Sequence, residues 1–281
     1  PHHIQGGMLT PVTLCPLGDV QWAGDRHEVA FDHLQAHIAR CLTLPNPLFI
    51  GLGDFTDFAS PSNLDAIRGA RLYDTARKVI DQKAEALTDE CYEKILKPTK
   101  GKWLGLLSGH HYYEFSYGGN SDQHLCKLLD TTYFGEGAAG VGLRWKASGH
   151  TEWVKIYAHH GCGSSVFPYG PIGKLYRVAP NFLVDIMLMG HQTKRASANF
   201  DVMDFVFPTQ GSPRLDHRTR HLVGTGGWGK GYVEGNEKAT YVEQGMLPPV
   251  ALGQPIIHIR PAWRRNAHGL TLWEPGITVE V

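Results

Sequence analysis

The segment Phe49-Ile50-Gly51-Leu52-Gly53-Asp54-Phe55-Thr56-Asp57 restricts the fold more than any other stretch of the chain. A short apolar run without alternation suits a strand buried on both faces, as in a sheet covered by helices. The run meets two glycines and then presents two carboxylates. Glycine lets the backbone turn sharply and come close to a ligand. A carboxylate just past the C-terminal end of a buried strand stands where open α/β sheets hold their ligands. The plainer alternative is a strand end with Asp57 capping the next helix. This segment alone does not separate the two readings, but its recurrence along the chain does.

Val12–Leu17 reads as a first strand, ending in Gly18-Asp19-Val20-Gln21. His27–Leu42 follows as a helix, because Val29, Leu34, Ile38 and Leu42 recur at helical spacing. Ser62-Asn63-Leu64-Asp65 has capping-box spacing and opens a helical region to about Lys97, with breaks expected at Gly69 and Thr88-Asp89. Pro98 stops it. Trp103–Leu107 is a third strand, ending in Ser108-Gly109-His110-His111. A short helix is expected over Asp122–Leu129. Strands Leu143–Lys146 and Trp153–Tyr157 are joined by a turn at 147–150, and the second runs into Ala158-His159-His160-Gly161. A weak helix at Lys174–Val178 precedes a buried strand, Val184–Met189, which ends in Gly190-His191-Gln192-Thr193.

Beyond Ala196 the character changes. Phe200–Phe207, Arg218–Val223, Ile256–Ile259 and Leu270–Trp273 read as strands between Gly- and Pro-rich turns, with no clear helix. Alternating β and α followed by mostly β predicts one α/β domain over 8–281, its sheet or a second packed sheet completed by the β-rich part 197–281. Residues 1–7, ahead of Met8, read as a remnant of an expression vector and are kept out of the fold reasoning.

Five strand ends thus deliver, in order, Asp19 with Gln21, Asp54 with Asp57, His110 with His111, His159 with His160, and His191. If most of these strands are parallel, the five ends lie along one edge. Carboxylates together with imidazoles are a ligand set for Mn, Fe, Zn or Ni, and histidine is conspicuous at 16 of 281 residues. A single histidine is explained as well by a hydrogen bond to a loop carbonyl. Five coincidences are not. The charge balance, 27 basic against 27 acidic residues, provides no broad basic field, so nucleic-acid binding would need a local patch. The five cysteines are scattered without a C-x-x-C pair, which argues against a disulfide framework and favours a reducing, cytoplasmic setting. No stretch approaches the roughly 18 apolar residues of a membrane span.

The series resembles the calcineurin-like metallophosphoesterase superfamily, whose motifs run D-x-H, G-D-x-x-D, G-N-H-[DE], a strand-ending His, and G-H-x-H. The match spans Asp19 to Thr193 in the right order; Gly53-Asp54-Phe55-Thr56-Asp57 fits fully, and Gly190-His191 fits the first half of its motif. The resemblance implies an αββα sandwich of two mixed sheets with a dinuclear metal centre at the strand ends, the β-rich C-terminal part completing the second sheet. It implies that Asp54 bridges two ions, that His110, His159 and His191 hold one, and that Asp19 and Gln21 hold the other. His160 competes with His159 for its place. His111 aligns with the family histidine that contacts the phosphate or protonates the leaving group.

Departures are also plain: Gln21 stands for His, His110 for Asn, Tyr112 for Asp or Glu, and Thr193 for the second His. The D-x-Q and G-H-H-Y variants resemble a phage-associated branch. With Gln21 and Thr193, one metal position has weaker donors than the other and should empty first.

The implied activity is hydrolysis of a phosphate ester, a phosphodiester first, by water activated at two divalent ions. Mn²⁺ is the expected metal, with Zn²⁺, Ni²⁺, Fe or Mg²⁺ as alternatives. A nucleotide or nucleic acid is a conceivable substrate. The rival readings are a phosphomonoesterase and a catalytically inactive metal-binding interaction module. Gly224-Thr225-Gly226-Gly227-Trp228-Gly229 matches G-x-G-x-x-G, but no helix is expected after it, so it reads as a turn. Tyr112, Tyr113, Phe115 and Tyr117 could stack a base or simply pack. Lys194, Arg195, Arg214, Arg218 and Arg220 could contact phosphates or form a solvated face.

Overall fold

The computed structural model describes residues 10–26, 29–147, 150–207, 212–235, 239–265 and 271–281. Residues 1–7, the first two residues of the expected His27 helix, residues 148–149 of the expected turn and residue 270 lie outside the described residues. The strands are β1 Val12–Leu17, β2 Pro47–Gly51, β3 Trp103–Ser108, β4 Tyr133–Glu136, β5 Ala138–Ala147, β6 His150–His159 and β7 Ile186–Met189. They continue with β8 Arg195–Val206, β9 Arg214–Thr225, β10 Ile256–Arg260, β11 Trp263–Arg265, β12 Thr271–Trp273 and β13 Gly276–Glu280. The helices are α1 Phe31–Thr43, α2 Pro61–Gly69, α3 Asp74–Cys91, α4 Ser121–Leu129, α5 Gly170–Val178 and a single turn α6 Tyr241–Gln244.

The strands form a six-stranded sheet, β13-β10-β1-β2-β3-β4, a five-stranded sheet, β5-β6-β7-β9-β8, and the small pair β11-β12. Strands β1 to β4 are mutually parallel, as are β6, β7 and β9, so these seven point their C-terminal ends the same way within each sheet. Alternation along the strands assigns the faces. Val12, Leu14, Ile50, Leu104 and Leu107 of one sheet share a buried cluster with Leu143, Val154, Ile156, Ile186, Leu188 and Val223 of the other. On the far side of the first sheet, Cys15, Leu17, Phe49 and Trp103 pack against Leu34 and Ile38 of α1 and Leu125 and Leu129 of α4. Met187, Met189 and Leu222 of the second sheet pack against Ile172 and Leu175 of α5. The layers are therefore helix, sheet, sheet, helix, as the αββα expectation has it.

The differences in detail have local causes. Helix α1 begins at Phe31, because Val29 bridges Gly229 and the Ala30 N–H donates to the Trp228 carbonyl. Tertiary pairing wins over helical spacing there. Helix α2 is capped by Ser60, not Ser62: the Ser60 hydroxyl accepts the Asn63 N–H at 3.4 Å, and Pro61 occupies the first turn, where no N–H is needed. The expected break at Thr88 is absent, since its hydroxyl donates to the Ala84 carbonyl at 2.9 Å inside α3. That helix runs into a π turn, Tyr92–Leu96, and a 3₁₀ turn, Lys97–Thr99. The C-terminal part completes both sheets, not only the second: β8 and β9 join one, while β10 and β13 extend the other beside β1. It also carries the one-turn helix α6, where no helix was expected.

Candidate metal centre

The turns that follow β1 and β2 run side by side, zipped by peptide hydrogen bonds. Leu52 donates to Leu17, Asp19 to Gly53, Gln21 to Asp54 and Trp22 to Phe55, at 2.9–3.0 Å. The backbone is unusual in these turns and in the one after β7. Asp19, Gln21, Asp54, His191 and Thr193 all have positive φ, between 47° and 66°. For residues other than glycine such conformations cost of order 1–3 kcal/mol and persist only where the surroundings impose them. Gly53 is required for space as well as φ (+89°), since a Cβ there would lie 2.3 Å from the Gly109 nitrogen.

Asp54 sits at the middle of the arrangement and is 2% exposed. Its Oδ1 accepts the peptide N–H groups of His110 at 2.6 Å and His111 at 3.0 Å, and its Oδ2 faces His160 Nε2 at 3.2 Å. His160 Nδ1 donates to the Leu52 carbonyl at 2.6 Å. That bond fixes the ring so that Nε2 is the nitrogen turned to the centre, the outer hydrogen bond typical of metal-binding histidines. His110 Nδ1 lies 3.1 Å from His160 Nε2 and 3.1 Å from His191 Nδ1. One ligand atom from each of Asp54, His110, His160 and His191 lies within 4.8 Å of all the others. Ligands roughly 2.0–2.2 Å from a shared ion sit about 3–3.5 Å from one another, so these spacings fit a common ion.

Asp19 is 1% exposed, and its two oxygens stand 3.1 and 2.9 Å from the His191 N–H. It anchors the β7 turn to the β1 turn and is not one of the four grouped residues. Gln21 places its amide oxygen beside Gly229, and Thr193 turns its methyl toward Gly227.

His159, expected in the ligand set, is not brought into the group. Its Nδ1 accepts the Gly161 N–H at 2.7 Å, which leaves the proton of the neutral ring on Nε2 and no free lone pair there. The strand alternation explains the exchange: Ala158 is buried between the sheets, and His160 rather than His159 follows it inward.

His111 pairs through Nδ1 with Asp57 Oδ1 at 3.0 Å. Asp57 therefore does not cap α2; Ser60 does.

The charges follow from burial and contacts. Burial alone would raise Asp54, but the hydrogen bond and charge of His160, with His111, hold it far below the usual carboxylate range. Burial pushes Asp19 up to about 7, with the Asp54 charge adding to it. Burial would lower His160, yet Asp54 and Asp19 outweigh it and raise the imidazole to about 9. His191 falls to about 4 through burial and the neighbouring His160 and His110 rings. Burial opposes the charged form of His111 too, but Asp57 and Asp54 prevail and raise it. The His160 imidazolium is thus the counter-charge of Asp54, and an ion bound there would displace its proton, since ligation takes the deprotonated form of each ring.

A cleft of about 480 Å³ adjoins the group, lined by His110 and His160 together with Arg68, Tyr112, Glu136 and Cys162. Two further strand ends also reach this edge. The end of β4 supplies Glu136 and Gly137 to the cleft, and β9 leads to Gly227 and Trp228, whose N–H donates to the Asp19 carbonyl at 3.2 Å. The G-x-G-x-x-G stretch is thus a turn packed under the centre, with Trp228 1% exposed. The aromatic run divides: Tyr113 and Phe115 are buried packing, while Tyr112 lines the cleft. Among the basic residues, Arg220 donates to the Ala179 and Phe182 carbonyls and Arg218 lies 3.9 Å from Asp204.

No protein-family model matches the chain, and no curated protein matches it. Among solved structures, Vps29 from Chaetomium thermophilum is similar over 95% of this chain and 97% of its own, at 10% identity and a TM-score of 0.33. So distant a likeness carries no weight. The two-sheet architecture stands on the strand pairing itself. No helix among the described residues is long and apolar enough to cross a membrane.

Proposed function

We propose that the chain is a metal-dependent phosphoesterase that acts on phosphodiesters. One observation carries the reading: the donor atoms of Asp54, His110, His160 and His191 converge beside a cleft large enough for a small ester. A divalent ion held by these four residues would supply Lewis-acid stabilisation of phosphoryl oxygens and activation of water. Mn²⁺ is the first choice, and the three-imidazole set also suits Zn²⁺, Ni²⁺ or Fe.

The chain's own groups account for the rest. His111, held by Asp57 and raised by the Asp57 and Asp54 carboxylates against the effect of burial, is the group to give a proton to the departing alcohol oxygen. The Asp54 contacts to the His110 and His111 N–H groups fix both rings relative to one another. Arg68, whose guanidinium lies 5.5 Å from the Tyr112 ring centre, forms the cleft wall with that ring and orients the remainder of the ester. The order of the strand-end motifs supports the same reading, and the cysteine pattern supports a cytoplasmic setting. A nucleotide in diester form, cyclic or linked to a second, fits the proposal as one substrate among small diesters.

The test is hydrolysis of bis-p-nitrophenyl phosphate and p-nitrophenyl phosphate by metal-stripped protein, with Mn²⁺, Ni²⁺, Co²⁺, Zn²⁺ or Mg²⁺ added back. Faster turnover of the diester is the expected result, and faster turnover of the monoester would make the chain a phosphomonoesterase. A second reading, a metal-binding module without turnover, draws on Gln21 and Thr193 standing where the resemblance implies imidazoles. Bound metal with no hydrolysis under any of these ions would establish it instead.

A further inference from the structure

We infer that the centre retains one ion per chain, at Asp54, His110, His160 and His191, and that Asp19 is a positioning residue that anchors the His191 turn rather than a ligand of a second ion. The inference rests on the metal-dependent reading above but departs from the dinuclear expectation that came with the resemblance.

Three features of the chain lead to it. First, Asp54 has a single oxygen, Oδ2, left for metal, and a second ion would have to share it. Its Oδ1 already accepts two peptide N–H groups, at 2.6 and 3.0 Å, and its Oδ2 is the oxygen that faces His160 at 3.2 Å. Second, Asp19 is engaged elsewhere. Both of its oxygens stand within hydrogen-bond distance of the His191 N–H, and a Cβ built on Gly190 would come within 2.9 Å of its Oδ2. The carboxylate is thus tucked under the β7 turn, 1% exposed. Third, the remaining donors are poor. Gln21 and Thr193 offer only neutral oxygens, and the Thr193 side chain presents its methyl to Gly227. Carbonyl and hydroxyl oxygens suit hard, weakly held ions, whereas three imidazoles with a carboxylate suit a retained transition metal.

What Asp19 does instead follows from its bonds. His191 lies past the end of β7 at a φ of +66°, a conformation uncommon for residues other than glycine. An acceptor beneath its N–H keeps the turn in place, so the His191 ring meets His110 at 3.1 Å. An asparagine retains that acceptor without the charge. An alanine removes it.

The experiment is metal stoichiometry. The protein is stripped with a chelator, loaded with excess Zn²⁺ or, separately, Mn²⁺, dialysed, and assayed for ions per chain by elemental analysis, with affinity from titration. About one ion per chain is expected for the parent and for Asp19→Asn, with similar affinity. Asp19→Ala should bind about 10–100-fold more weakly, the usual effect of removing an outer partner. Circular dichroism confirms that each variant is folded, and His160→Gln checks the assay by falling well below one ion. Two retained ions in the parent, or an Asp19→Asn protein as weak as Asp19→Ala, would overturn the inference and leave the phosphoesterase reading standing. No retained ion would overturn both.

Discussion

The two sides of the strand-end edge share a backbone and differ in chemistry. On one side, His110, His160 and His191 face Asp54 with all four ligand atoms within 4.8 Å. On the other, Asp19 holds a peptide N–H, and Gln21 and Thr193 offer neutral groups. Yet the same strain runs through both, since Asp19, Gln21, Asp54, His191 and Thr193 all have positive φ. The backbone ladder between the β1 and β2 turns, with the Asp19 and Asp54 contacts to the turns after β7 and β3, builds the scaffold. The side chains then decide which half can hold an ion. A scaffold of this kind is necessary for a metal centre but does not fix how many ions it keeps.

The largest effect should come from the carboxylate of the well-provided side. Asp54→Asn should abolish turnover and weaken metal binding while the fold persists, because the amide oxygen can still accept the His110 and His111 N–H groups. Turnover and metal content measured together check this; a variant with near-parental turnover would remove Asp54 from the centre.

His111→Ala comes next, lowering the rate by about 10²–10⁴-fold with metal content preserved, and less for substrates with good leaving groups. Asp57→Asn should follow it with a smaller loss, since the pairing partner of Nδ1 is weakened rather than the acid removed. A collapse of metal content in His111→Ala would move that residue from the acid role to the ligand set.

Thr193→His probes the poorer side directly. Supplying an imidazole there should leave retained metal at about one ion per chain in the same dialysis assay, because Asp19 stays on the His191 N–H. A rise toward two ions would show that the missing imidazole alone separates the two halves.

The smallest effect lies behind the well-provided side. Asp122 is buried beneath the end of β3, and burial with the Asp54 charge, against a hydrogen bond from Ser108, pushes its carboxyl up to about 7. The folded chain therefore keeps this proton to near neutrality, while the unfolded chain releases it near pH 4. Between those values the folded state binds more protons, so stability falls as pH rises toward 7, and the loss remains above it. Asp122→Asn should melt a few degrees higher than the parent at pH 8 and at nearly the same temperature at pH 4. Thermal melts at both pH values measure the difference, and a constant offset would remove the proton from the explanation.

Much of this arrangement was legible in the sequence because buried parallel strands leave continuous apolar runs. Val12–Leu17 matches β1 at both ends, and Trp103–Leu107 falls one residue short of β3. The ends of these strands carried the candidate site for the same reason: glycines and polar residues stop an apolar run. What stayed hidden depended on pairing or direction. Tyr133–Glu136 is half-buried and short, so β4 leaves no apolar signal, although its end lines the cleft. The choice between His159 and His160 needed the inward or outward phase of β6, which adjacent histidines do not reveal. Trp228 reaches Asp19 only through the parallel β7–β9 pairing, a contact of large sequence separation. The C-terminal strands divide between two sheets, and no local pattern says which sheet a strand will join.

The most direct test of the centre is anomalous scattering from crystals of the protein soaked with Zn²⁺ or Mn²⁺. The strongest peak should lie within about 2.0–2.2 Å of His110 Nδ1, His160 Nε2, His191 Nδ1 and Asp54 Oδ2, with none on His159. A strongest peak held by His159, or one that leaves out His160 and Asp54, would contradict the account.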